Sequence, residues 1–146
     1  MITVQNTVRA RHVPTPSRLR KYLREVLGAA PCEVTVRIVG SRESQALNRT
    51  YRGKDQPTNV LSFPYQRRPL QGDIVLCAPL VWREAREQRK PPAAHWAHLV
   101  VHGALHLRGY DHIKHRDAKR MEARERAILS RFRIPDPYQI FPVKSH

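Results

Sequence analysis

Residues 99–112 read Leu99-Val100-Val101-His102-Gly103-Ala104-Leu105-His106-Leu107-Arg108-Gly109-Tyr110-Asp111-His112. Apart from His102 and His106 the first nine are apolar or small and include no proline, so they predict the end of a helix spanning roughly 93–107, opened by Pro91-Pro92. His102 and His106 are four apart. On a helix they share one face, with about 5–6 Å between neighbours. A third ligand one turn further along would sit about 5.4 Å too far up the axis. The chain must therefore stop and fold back. Gly109 suits that reversal, because glycine takes a left-handed helix cap without a Cβ clash. His112 can then return to the same ion. Three neutral imidazoles and one open position form the ligand set of a catalytic zinc centre, with one Zn2+ per chain.

The spacing is similar to the metzincin motif H-E-x-x-H-x-x-G-x-x-H with one change: Gly103 stands where the general base would be. That change argues against zinc-peptidase chemistry. Glycine inside a helix costs about 1 kcal/mol against alanine, and a side-chain-free wall beside the metal is one feature that would offset it. His95 and His98 lie upstream. His95 to His106 spans about 16 Å of helix, so all cannot bind one ion, and His95 and His98 are expected to pack or to support the ligands. Asp111 is the nearest side chain that could close the fourth position.

The chain has 146 residues, enough for one domain covering 1–146 with one core. No apolar run approaches the ~18 residues of a membrane span. The first residues lack a basic segment followed by an apolar one, so no secretory signal is expected. Cys32 and Cys77 match no redox or zinc spacing and are expected as buried thiols. These features predict a soluble cytoplasmic protein with no membrane partner. The net charge of +15, from 27 Lys and Arg against 12 Asp and Glu, favours polyanions as partners, nucleic acid first.

Outward from the helix, residues 2–9 predict a strand, and Thr15-Pro16 opens a helix stopped by Gly28. Glu33–Val39 alternates as a strand. Gly40-Ser41 opens a helix carrying Ala46 and Leu47. A loop covers Gly53–Pro57. Short strands are expected at Asn59–Phe63 and from Gly72 to Cys77, the latter ending at Pro79. A helix follows over Leu80–Gln88. The last helix, His115–Phe132, points Met121, Ile128 and Leu129 inward, and the tail after Pro135 is expected to pack loosely. About four strands and five helices, not in strict alternation, give an α+β fold with a mixed sheet.

A second constellation is Tyr51-Arg52-Gly53-Lys54-Asp55-Gln56-Pro57-Thr58-Asn59-Val60-Leu61-Ser62-Phe63. Arg52 and Lys54 flank a glycine where backbone can approach an anion, and Thr58, Asn59 and Ser62 offer neutral hydrogen-bonding groups. A guanidinium binds phosphate bidentately. The segment also reads as a charged loop ending in an asparagine cap. Asp73 reads as a turn residue or as a support to the metal site. Tyr51, Phe63, Tyr65 and Tyr110 could stack on bases, although such residues serve more often in cores and loops.

Taken in order, residues 51–63, Gly72-Asp73-Ile74, the run His95 to His112, then Met121, Glu125 and Asp136-Pro137-Tyr138 resemble the bacterial YbeY family over nearly the whole chain. The resemblance implies a metal-dependent, single-strand-specific endoribonuclease. Its partners would be single-stranded RNA, the 16S rRNA precursor and the small ribosomal subunit, in 3′-end maturation and ribosome quality control, with no DNA expected. His102, His106 and His112 would hold zinc, His102 and Arg52 would be needed for catalysis, and the fold would be a small α+β domain. One departure is the helix after His112, which is basic (His115, Arg116, Lys119, Arg120, Arg124, Arg126) where acidic residues are expected. The alternative from another class is a non-catalytic RNA-binding assembly factor whose zinc is structural. A closed fourth zinc position would mark that case.

Overall fold

A computed structural model describes residues 1–139. Four strands form one sheet: β1 (Ile2–Asn6), β2 (Cys32–Val39), β3 (Val60–Arg67) and β4 (Leu70–Cys77), in the order β1-β2-β4-β3. β1, β2 and β4 run parallel, and β3 returns antiparallel to β4 at the edge. Five helices are described: α1 (Pro16–Leu27), α2 (Ser41–Arg52), α3 (Ala78–Glu87), α4 (Pro92–Leu107) and α5 (His115–Arg131). The expected mixed α+β architecture is the one observed.

Burial explains which strands were easy to read. Val34, Val36 and Ile38 alternate as buried residues on β2, as a half-buried strand requires. β3 and β4 extend further than expected because their distal halves, Pro64–Arg67 and Leu70–Gln71, are half-buried or exposed and carry no hydrophobic alternation. Pro64 is tolerated because β3 is an edge strand. β1 is shorter than residues 2–9, since the Asn6 side chain accepts the Val8 N–H at 3.0 Å and turns the chain away. Pro79 does not end a strand but sits in the first turn of α3, where no N–H is required. On α2 the inward residues are Ser44, Leu47 and Asn48, and Ala46 faces solvent.

α4 is apolar over most of its surface, because its neighbours cover it except along the face of His98, His102 and His106. It lies on β3 and β4 and is flanked by α1, α3 and α5. Trp96, Val100, Ala104, Leu105 and Leu107 are buried there, each large side chain contributing about 1.5–3 kcal/mol. α2 lies on the opposite face, where Leu47 meets Val39, Leu61 and Val75. Both cysteines are free and buried. No helix among the described residues is long and apolar enough to cross a membrane.

The tail differs from expectation as far as it is described. Arg126 Nε donates to Asp136 Oδ2 at 3.0 Å, Lys90 Nζ donates to the Pro137 carbonyl at 3.2 Å, and Tyr138 binds inward. Residues 136–139 are therefore pinned. The rest of the tail, 140–146, lies outside the described residues.

Candidate metal centre

α4 ends as its sequence requires. Gly109 has φ +94°, its N–H donates to the His106 carbonyl at 2.9 Å, and the Tyr110 N–H donates to Leu105 at 3.0 Å. These two bonds form a Schellman motif. Asp111 then accepts the backbone N–H groups of His112 at 2.6 Å and Ile113 at 3.1 Å. Those bonds hold the Asp111 carboxyl below its usual range. The reversal carries His112 back to α4.

The three histidines converge. His102 Nε2 lies 3.1 Å from His106 Nε2, which lies 3.0 Å from His112 Nδ1. Their other nitrogens explain the arrangement. His102 Nδ1–H donates to Glu125 Oε1 at 2.8 Å, and His106 Nδ1–H donates to the Tyr110 carbonyl at 3.0 Å. With Nδ1 protonated, each neutral ring has a bare lone pair at Nε2. Two such lone pairs facing each other at 3.1 Å repel unless a cation sits between them. Zinc–nitrogen bonds of about 2.0–2.1 Å in a tetrahedron place ligand atoms about 3.3 Å apart, close to what is found, so the residues fit the ion. Burial and the neighbouring His102 and His112 push the His106 imidazole down to about 4, so it stays neutral, as a ligand must.

Among the described residues no fourth Cys, His or carboxylate joins this group. Asp111 Oδ1 is held in its turn, and the carboxylate does not join the three ring nitrogens. His102 and His106 are half-buried and His112 is exposed, so the remaining position faces solvent.

Behind the ligands stands a carboxylate whose role went unread in the sequence. Glu125 is fully buried. Its Oε2 accepts from His98 Nε2 at 2.7 Å and from the Tyr138 hydroxyl at 2.6 Å. Burial pushes this carboxyl up, but the His102 and His98 hydrogen bonds outweigh it and bring it down to about 2. His98, His102 and Glu125 could themselves cluster around an ion. At 2.7–2.8 Å, however, their contacts are hydrogen-bond lengths rather than ligand edges. His98 is therefore a support, as expected. His95 is instead a buried packing residue, donating through Nε2 to Glu84 at 2.9 Å. The sequence signal for Glu125 was its period: it lies on the face of Met121, Ile128 and Leu129, where an unpaired acid would not be tolerated.

Gly103 does not form a wall beside the metal. A Cβ there would lie 2.9 Å from Ile74 Cγ2 and 3.1 Å from Ser62 Oγ. Glycine lets α4 settle onto β3 and β4, and that close packing offsets its helix cost. Asp73 is not near the histidines either. It points to the other face of the sheet and accepts the Tyr65 hydroxyl at 2.8 Å. Arg52 is exposed on the last turn of α2, capped by Gly53 at φ +70°. It makes no hydrogen bond or ion pair among the described residues, and none with the histidines. The following loop is tied to α2: Ser44 exchanges two hydrogen bonds with Thr58, and Asn48 Nδ2 donates to Gln56. Asn59 donates to Glu84. Beside the metal ligands, a cavity of about 220 Å³ is lined by His102, His112, Met121, Glu122, Glu125 and Tyr138.

Known proteins share this arrangement of sequence and fold. The family model for endoribonuclease YbeY matches residues 4–133. A protein from Halorhodospira halophila named endoribonuclease YbeY is 54% identical over 136 residues, covering 86% of this chain and 88% of that protein. One of the same name from Nitrosomonas eutropha is 50% identical over 140 residues, covering 95% and 99%. The solution structure of TM1509 from Thermotoga maritima matches with a TM-score of 0.64 at 26% identity, covering 99% of this chain and all of that one. With the family match running from β1 to the end of α5 and relatives 50–54% identical over most of its length, this chain belongs to the endoribonuclease YbeY family.

Proposed function

We propose that this chain is a zinc-dependent endoribonuclease that cuts single-stranded RNA, acting on the 16S rRNA precursor at its 3′ end within the small ribosomal subunit. The observation that carries the reading is the centre itself: three imidazole nitrogens 3.0–3.1 Å apart in sequence-neighbour pairs, with no fourth protein ligand among the described residues. A structural zinc would be closed by a fourth ligand, so the centre favours catalysis over the assembly-factor reading. The net charge of +15 suits a polyanionic substrate. Membership in an endoribonuclease family supports RNA as that substrate.

His102, His106 and His112 would hold the ion, which when bound supplies Lewis acidity toward water or a phosphoryl oxygen. Glu125 fixes the tautomer and aim of His102. Glu122 lines the adjoining cavity outside that network and would accept a proton there. Arg52 would neutralise charge building on phosphorus. Its guanidinium, unengaged among the described residues, is available for that bidentate contact.

The test uses zinc-loaded protein, a labelled single-stranded RNA, its duplex, and the His102→Ala variant. Cleavage of the single strand by the wild type alone is expected. Equal cleavage by both proteins would point to a contaminating nuclease. Tight, salt-sensitive binding without cleavage would return the chain to the assembly-factor reading.

A further inference from the structure

The sheet face opposite α4 is only half covered. α2 shields Val39, Leu61 and Val75. Beyond it lies a cavity of about 430 Å³ lined by Tyr51, Phe63, Tyr65, Arg37, Thr35 and Asp73, among others. That volume is within the range of about 300–1,000 Å³ typical of small-molecule sites. Tyr51 and Tyr65 are 65% and 66% exposed, a large aromatic area that the fold leaves in water. Tyr65 follows Leu61 and Phe63 onto this face by strand alternation, where the register shifts between Pro64 and Gln66.

We propose that this cavity is a nucleobase pocket that selects guanine in a single-stranded RNA. The inference rests on the reading of the chain as an enzyme of single-stranded RNA. Tyr51 and Phe63 meet edge to face with centroids 5.1 Å apart, and the exposed Tyr65 ring stacks on no other ring among the described residues. Together they offer rings for stacking, as sheet-based RNA readers do.

The polar groups supply the selectivity. Tyr65 donates to Asp73 Oδ2, which leaves Oδ1 open to accept. That bond pushes the Tyr65 phenol up to about 12, so the ring stays neutral. Arg37 is held by Glu43 through Nη2 at 2.8 Å, while its Nε is buried without a partner among the described residues. Arg37 pairs with Val75 and Thr35 with Asp73, so Arg37 and Asp73 are diagonal neighbours on this face. The unmet Arg37 donor and both Asp73 oxygens (Oδ1 open, Oδ2 with a second lone pair beside the Tyr65 bond) complement the O6 acceptor and the adjacent N1–H and N2–H donors of guanine. Uracil and cytosine do not present that set.

The pocket and the metal side lie on opposite faces of the same edge strand. β3 is an edge strand. Phe63 lines the pocket, while its neighbour Ser62 donates to the Gly103 carbonyl at 3.0 Å, next to His102. An RNA strand seated in the pocket would have to cross the free rim of β3 to reach the metal face.

The test measures anisotropy of labelled, cleavage-resistant UUGUU and UUUUU (2′-O-methyl, phosphorothioate-linked) on the zinc-loaded full chain, with the oligonucleotide verified intact afterwards. Wild type is expected to prefer UUGUU by about tenfold. Tyr65→Ala weakens both by about tenfold, and Tyr65→Phe retains most of the binding. Asp73→Asn removes the preference and keeps the affinity for UUUUU. Zinc content and thermal midpoint are the folding controls. Absence of a guanine preference in the wild type, or variants that bind like wild type, would overturn the pocket. If those variants still cleave normally, the nuclease reading stands without it. Preference and its loss in a chain that never cleaves would support the pocket and remove the nuclease reading.

Discussion

Glu125 Oε1 stands 2.8 Å from His102 Nδ1, so a side chain with no solvent exposure orients an imidazole at a solvent-facing centre. The bond selects the tautomer that bares His102 Nε2. His98 and Tyr138 occupy the other carboxylate oxygen, so Glu125 cannot rotate away. Supports of this kind cost about 10- to 100-fold in metal affinity when removed. Glu125→Ala is expected to lose that much in competition with a chromophoric chelator. It is also expected to destabilise the metal-free chain by about 3 kcal/mol, since buried donors lose their acceptor. Glu125→Gln keeps one acceptor oxygen and is expected to recover part of both losses. Wild-type zinc affinity in both variants would show that His102 is held by other means.

Gly103 leads to a second expectation. Alanine gains about 1 kcal/mol of helix propensity over glycine, yet its Cβ would press on Ile74 and Ser62. Overpacking costs about 1–3 kcal/mol, so Gly103→Ala is expected to lower stability in a urea melt. Gly103→Glu restores the zincin lettering but drives a carboxylate into β3 and β4. It is expected to unfold the chain or cut stability severely, with no gain of peptidase activity. A Gly103→Ala variant as stable as wild type would mean that the sheet yields at this point.

The histidine centre was legible because its geometry is local. Spacing of four, a glycine and a return are all written within eleven residues. The strands of the core were legible through alternation, as at Val34, Val36 and Ile38. Pairings made across the chain were not. Glu125 meets His102 from another helix, and Tyr138 arrives from the tail, so no window of sequence shows them together. Gly103 was read against its neighbour His102, whereas its environment is set by β3 and β4. Asp73 and Tyr65 were ambiguous because which face of β4 carried the metal helix was not fixed until the sheet order was known.

The reversal at Gly109 can be tested apart from the ligands. Its φ of +94° is unfavourable for any residue with a Cβ, by about 1–2 kcal/mol. An added Cβ would also meet the Arg67 guanidinium, a flexible group that can move. Gly109→Ala is expected to reduce zinc affinity by displacing His112. Arg67→Ala combined with Gly109→Ala is expected to restore little of it, because backbone strain rather than the arginine is responsible. Full recovery in the double variant would reverse that assignment.

Glu84 provides the pH test. Burial pushes its carboxyl up, but the hydrogen bonds from His95 at 2.9 Å and Asn59 at 3.0 Å outweigh this and bring it below its ordinary value of 4.5. A carboxyl lowered on folding contributes stability above its unfolded value, and that contribution fades as pH falls through the folded value. Glu84→Gln should therefore cost about 1 kcal/mol at pH 7, the scale of one hydrogen bond in a half-buried setting. The cost should shrink at pH 3.5. Urea melts of wild type and variant at both pH values give the difference of differences, in which protonation of the metal ligands cancels. A cost that stays constant or grows on acidification would show that Glu84 is held for packing rather than for its charge.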